Sequence, residues 1–178
     1  MIRAPKHTLT WASSISGLDK SQYSRFLSKH GELAKQSLKE LSQNVAREAA
    51  TNRLPLVEGA PWTCALIVDA TLHGRATLHT DNSQKFNHGG GFVIGHQWTN
   101  VVLIIGENTI PLPPITFISR NKCTKMGIEY LTEHEKIVGY FANLNLIDWI
   151  GPHNSSEILC LFDAGYDDKE IQKSVAKK

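Results

Sequence analysis

The sequence predicts an α/β fold built on a mixed sheet, with elements in the order β-β-β-α-β-α from residue 64 and a helical segment ahead of them. Three observations carry this expectation. The apolar run Ala65-Leu66-Ile67-Val68 ends in Asp69, and a second run, Ile158-Leu159-Cys160-Leu161-Phe162, ends in Asp163. Short apolar runs of this kind read as strands buried on both faces. Between them lie a strongly β-prone stretch with its return and then an amphipathic helical pattern.

Length and composition set the outer limits. A chain of 178 residues with 41% hydrophobic side chains is one domain of ordinary size with a small extension, apolar enough to bury a core. The net charge of +2 is unevenly spread: residues 1–60 hold nine Lys/Arg against five Asp/Glu, and residues 61–178 hold ten against twelve. A basic lead before a mildly acidic body suits either an arm that touches phosphates or a solvated helix face. Cys64, Cys123 and Cys160 form no Cys-x-x-Cys pair, and such a set of thiols points to a reducing interior. No signal core and no membrane-length apolar run is present. The expectation is a soluble, cytoplasmic protein.

Residues 1–17 are mixed and turn-prone. Ser21 to Ala50 then turns helical, with a break at His30-Gly31. Tyr23, Phe26 and Leu27 mark one apolar face, and Leu33, Leu38, Leu41 and Val45 mark another. Two helices across a short break fit a DNA-binding element or a plain helical hairpin. Asn52 to Trp62, with Pro55, Gly59 and Pro61, is a boundary, giving a helical lead over 1–60 and a second unit over 61–178. After the first strand, Leu72 to His88 is polar and ends in Gly89-Gly90-Gly91, which lacks the companions of a nucleotide-binding loop and reads as a flexible turn. Trp98 to Ile105 is a strand, Gly106-Glu107-Asn108 a turn, and Thr109 to Ser119 a return strand at an edge, because Pro111, Pro113 and Pro114 remove ladder donors. Ile128 to Leu146 repeats apolar residues at helical spacing. Asp167 to Lys178 opens a last helix, with acids early and Lys173, Lys177 and Lys178 late.

The candidate chemistry lies at the two strand exits. An acid inside a buried strand is costly, so Asp69 should sit where its strand leaves the core, and Asp163 likewise. On neighbouring strands the two carboxylates would repel unless a cation lay between them, and hard oxygen ligands suit Mg²⁺ or Mn²⁺. The plain alternative is that each caps a turn. His73, His79, His88 and His96 cluster after the first strand without the Cys/His spacing of a zinc site.

The segments Ile67-Val68-Asp69-Ala70-Thr71-Leu72-His73-Gly74-Arg75 and Leu161-Phe162-Asp163-Ala164-Gly165-Tyr166-Asp167 resemble the first two acidic motifs of bacterial insertion-sequence transposases of the Asp-Asp-Glu type. Phe92 to Asn100 and Ile110 to Pro114 resemble members of the same group, and the likeness covers residues 60–178. It implies a ribonuclease-H-like fold, DNA as partner (the element's ends and its target), and Asp69 and Asp163 as catalytic ligands of Mg²⁺ or Mn²⁺. It also offers Arg75, Lys85 and Arg120 as candidate phosphate contacts. The family's third acid, a Glu on a later helix near a Tyr and an Arg, has no counterpart after Asp163. The resemblance therefore implies a transposase truncated at its C-terminal end and inactive alone, able to associate with a second copy or with the full-length enzyme. The other readings are a DNA-binding or inhibitory remnant, and a stand-alone nuclease that takes Glu133 or Glu135 as its further acid.

Overall fold

The computed structural model describes residues 13, 14, 16, 17, 19–75 and 82–176, without the side chains of residues 23, 24, 27 and 88. Residues 1–12, His79, Lys177, Lys178 and the side chains of Tyr23, Leu27 and His88 thus lie outside the description. The chain divides into two compact units, residues 1–41 and 42–178.

Helix α1 spans Lys20–Thr51 and is interrupted at His30, whose φ of −125° and ψ of 18° are not helical. The break expected at His30-Gly31 is therefore present. Ser13, Ser14 and Ser16, expected to be turn-prone, are helical; Gly17 stops that turn by returning its N–H to the Ser13 carbonyl at 3.0 Å. Within the first unit, Leu33, Leu38 and Leu41 are exposed.

In the second unit the end of α1 supplies Ala46, fully buried in the core. The sheet follows: β1 (Cys64–Gly74), β2 (Gln84–His88), β3 (Gly91–Ile105), β4 (Asn108–Pro111) and β5 (Ile115–Thr116), then helices α2 (Arg120–Met126), α3 (Glu133–Asn143) and α4 (Ile147–Ile150), then β6 (Ile158–Phe162) and α5 (Lys169–Val175). The sheet is mixed, in the order β2-β3-β1-β6, with β4 and β5 also pairing β3. β1 runs antiparallel to β3 and parallel to β6. The crossover from the β3–β5 meander to β6 is made by α2 to α4, as parallel neighbours require.

Several local expectations are corrected. The polar passage after β1 contains a strand, β2, which the Gly89-Gly90 turn joins to β3. Both turn glycines have positive φ, 56° and 79°, which side chains resist. The Trp98 to Ile105 strand begins earlier, at Gly91. The return strand is two short pieces, because Pro113 and Pro114 cannot donate to a ladder. The helix expected from Ile128 starts at Glu133: Thr132 and Glu135 form a reciprocal capping box that fixes its first turn. Asp168 likewise caps α5 by accepting from Glu170 and Ile171. The first strand is not buried on both faces along its length. Leu66 and Val68 are sealed in the core, while Ile67 is half-buried and Leu161 on β6 is 45% exposed. The cause is that α3 and α5 both pack against the face of Leu66, Val68, Val101 and Leu103.

On that face Phe141 of α3 meets Phe162 of β6, ring centroids 5.8 Å apart. Lys136 ties the same helix to β5 by donating to the Thr116 carbonyl at 2.8 Å. Where β1 leaves the body of the sheet, Gly95 of β3 lies so close to His73 that an added Cβ would strike its carbonyl oxygen. Only glycine permits that approach. No helix among the described residues is long and apolar enough to cross a membrane.

All three cysteines are free thiols. Burial pushes the Cys160 thiol up to about 11 from its ordinary 9.0, and burial also raises that of Cys64. Because the thiolate is the reactive form, Cys160 should alkylate with iodoacetamide at mildly alkaline pH about a hundredfold more slowly folded than unfolded. Peptide mapping by mass spectrometry measures this, and equal rates would contradict it. Folding favours the protonated thiol, so its share of stability is full below pH 9.0 and is lost as pH rises toward about 11.

Candidate functional site

The two acids lie on neighbouring strands: Asp163 directly follows the end of β6, whereas Asp69 leaves the core but stays in the β1–β3 ladder opposite Asn100, with β1 running on to Gly74. The last paired residues of the parallel β1–β6 ladder are Val68 and Phe162, and Asp69 and Asp163 each follow by one position. Adjacent strands lie about 4.8 Å apart, so both residues sit where the β1–β6 pairing ends. Each is exposed. Asp163 adopts extended φ and ψ, and its Oδ1 accepts the Ala164 N–H at 2.6 Å, capping the short 3-10 turn Ala164–Tyr166. Turn capping thus occupies one of its oxygens and leaves the residue at the strand exit.

Across from Asp69 on β3 stands Asn100. Its Nδ2 donates to Thr71 Oγ1 at 2.6 Å, and its Oδ1 accepts from Trp98 Nε1 at 3.0 Å. These side chains form a polar ladder beside Asp69 on one sheet face.

The opposite face carries a second carboxylate network. Glu133, the first residue of α3, accepts from Tyr166 Oη at 2.7 Å and from Thr99 Oγ1 at 3.1 Å, and its other oxygen accepts from Gln97 Nε2 at 3.0 Å. Thr99 is fully buried and Tyr166 nearly so. Burial, together with the negative charges of Glu133 and Asp69, drives the Tyr166 phenol far above its ordinary range. Tyr166 therefore stays protonated and acts as a donor. This network was not foreseen. Its signal is Thr99, the one hydroxyl in the inward series Thr99, Val101, Leu103 and Ile105.

Glu133 is thus held by three side-chain donors on the helix-covered face. Glu135 serves the capping box, and its hydrogen bonds from Thr132 hold its carboxyl below the usual range. Among the described residues no group of three or more His, Cys, Asp or Glu is placed to hold a metal ion. The donor set at the strand ends is therefore two carboxylates. That fits one hard cation completed by water and does not supply a fixed pair of ions.

The basic candidates separate. Arg75, just past β1, gives its backbone N–H to the Ile94 carbonyl, and Lys85 of β2 pairs with Ile94 from the other side. Lys85 Nζ lies 3.8 Å from the centroid of the Phe92 ring. Arg120 is elsewhere, opening α2 with its guanidinium 4.8 Å from the Tyr130 ring. His73 and His96 face each other across β1 and β3.

No family model matches this chain, and no curated protein or solved structure matches it.

Proposed function

We propose that residues 61–178 form the first two-acid portion of a ribonuclease-H-like phosphoryl-transfer domain of the Asp-Asp-Glu transposase type, acting on DNA. The observation that supports this is the parallel register of Val68 with Phe162, which puts Asp69 and Asp163 one position past the end of the β1–β6 pairing on adjacent strands. The crossover by helices between antiparallel and parallel neighbours of β1 supports the same fold. Asp69 and Asp163 are the ligands for Mg²⁺ or Mn²⁺. A cation bound there supplies polarisation of a phosphate and a lowered pKa for an attacking water. The chain's own contribution is positional. The Ala164 N–H orients Asp163, and the Asn100–Thr71 pair shapes the surface around Asp69. Among the described residues no group of three or more His, Cys, Asp or Glu is placed to hold a metal, and on this reading Asp69 and Asp163 bind metal without by themselves completing cleavage or joining. Its partners are DNA and a second copy or a longer transposase chain, for which β6, at the end of the strand order, offers an edge. The free thiols support a reducing, cytoplasmic setting.

Mn²⁺ binding, followed by electron paramagnetic resonance of the free ion, tests this. The chain should bind Mn²⁺, and Asp69→Ala and Asp163→Ala should each weaken binding at least about tenfold, since each removes half of the fixed ligands. Absence of binding, or affinity unchanged in Asp69→Ala, would reject the site.

A further inference from the structure

The outward face of the sheet is as apolar as the sealed one. Register places Leu159, Ala65 and Ile104 side by side across β6, β1 and β3, and Leu161, Ile67 and Val102 in the next row. Alternation turns these six away from Leu66, Val68, Val101 and Leu103, whose face α3 and α5 close. The two faces differ in cover. Leu66, Val68, Val101 and Leu103 are all sealed. Ile67, Val102, Ile104 and Leu159 are half-buried, Leu161 is 45% exposed, and only the small Ala65 is buried. A sheet with one wet face alternates apolar with polar residues, whereas unbroken apolar runs belong to strands covered on both faces. The runs over 65–68, 101–105 and 158–162 are unbroken. This outward face is written for a cover.

The first unit carries the converse. On helix α1, Leu33, Leu38 and Leu41 are 62%, 63% and 60% exposed. At about 100° per residue they fall within an arc of about 140°, the width of a stripe that faces a core. Glu32, Lys35, Gln36, Lys39 and Glu40 take the rest of the circumference. Residues 20–41 hold five Lys/Arg against two Glu. β1, β3, β4 and β6 hold no Lys or Arg, and the apolar rows run up to Asp69, with Asp163 one position past β6. A basic amphipathic helix and an apolar face that ends in acids are complementary in hydrophobicity and in charge.

We infer that helix 20–41 of one copy covers the outward sheet face of a second copy, and that the exchange is reciprocal. Two such contacts about a two-fold axis close the assembly and double the area buried. Leu33, Leu38 and Leu41 lie on Ile67, Val102, Ile104, Leu159 and Leu161, with the helix's cations toward Asp69 and Asp163. Helices paired only with each other would leave the sheet faces bare. Two sheet faces packed together would leave the helices bare and bring no cation to the acids. Exchange covers both. The surface is distinct from the open edge of β6, since it uses side chains on the face of the sheet and not backbone groups along its rim. It does not depend on the phosphoryl-transfer reading.

Sedimentation equilibrium of the full chain over a concentration series is the test. The parent chain should be a dimer, at twice the 19.8 kDa of one chain. Leu38→Glu and Leu161→Lys should each raise the dissociation constant at least about tenfold. Both positions are exposed, so neither change opens the core, and circular dichroism checks that each variant is folded. Leu161→Gln takes the place of a Leu161→Lys chain that fails that check. An equimolar mixture of the two variants should associate at least about tenfold more tightly than either alone, because one contact of the heterodimer is intact and the other sets Glu against Lys. Native mass spectrometry identifies that heterodimer. A monomeric parent chain overturns the inference. Dimers that persist in Leu161→Lys overturn it in favour of helix paired with helix. Dimers that persist in Leu38→Glu overturn it in favour of paired sheet faces or β6 edges. A mixture that does not regain association overturns it as well. Mn²⁺ binding decides the catalytic reading separately, and neither variant touches the two acids.

Discussion

Phe141→Ala is expected to destabilise the second unit by about 3–5 kcal/mol, the range for an aromatic ring deleted from a sealed core. Phe141 is fully buried and is wedged between Phe162, at 5.8 Å, and Tyr140, edge-on at 5.7 Å. The sheet beneath cannot collapse into the gap, because Leu66, Val68 and Leu103 are fixed by ladder pairing on both β1 and β3. A loss of that size is a large part of the ~5–15 kcal/mol that holds an ordinary domain together. Chemical denaturation followed by circular dichroism should show a lower midpoint with the denaturant slope unchanged. A change under about 1 kcal/mol would mean that α3 does not pack as described. Phe162 immediately precedes Asp163, so loss of this ring also loosens the strand that presents the second acid.

The next largest effect is expected at Glu133. Replacing it with Ala removes the acceptor for Tyr166, Thr99 and Gln97 together. Thr99 is fully buried, and a buried donor left without a partner costs about 1–3 kcal/mol. Tyr166 and Thr99 are 3.5 Å apart and can partly serve each other, which limits the total to about 2–4 kcal/mol. Glu133→Gln keeps an acceptor at the same reach and should cost less than half as much. The contrast between the two variants in thermal melts is the measurement. Equal losses would show that the charge or the second acceptor oxygen, both of which Gln lacks, is what the site requires.

Particular residues show what the sequence makes legible. Two apolar runs ending in Asp were readable because buried strands leave little room for charge except at their exits, and the strands of Asp69 and Asp163 are neighbours. β2 was not readable. Gln84 to His88 is polar, and it is held as a strand by its long partner β3 rather than by its own pattern. α2 was equally silent, since seven residues are too few for a helical period to declare itself. The start of α3 was legible in principle, because Thr132-Glu133-His134-Glu135 has the spacing of a capping box, but the apolar residues from Ile128 masked it. The Glu133 network could not be read: its bonded members are separated by 33 to 67 residues, and only the fold makes them neighbours.

The parallel pairing of β1 with β6 also gives the carboxylate pair a place in time. β1, β2 and β3 are joined by short links and can zip together early. Val68 and Phe162, by contrast, are separated by about ninety residues, so their pairing must meet the entropy of closing a long loop. During synthesis the first strand is finished and solvated well before its partner leaves the ribosome. Asp69 therefore spends the early life of the chain as an ordinary surface carboxylate. The pair exists only once the crossover has been completed, and any affinity that depends on both acids reports completion of the fold.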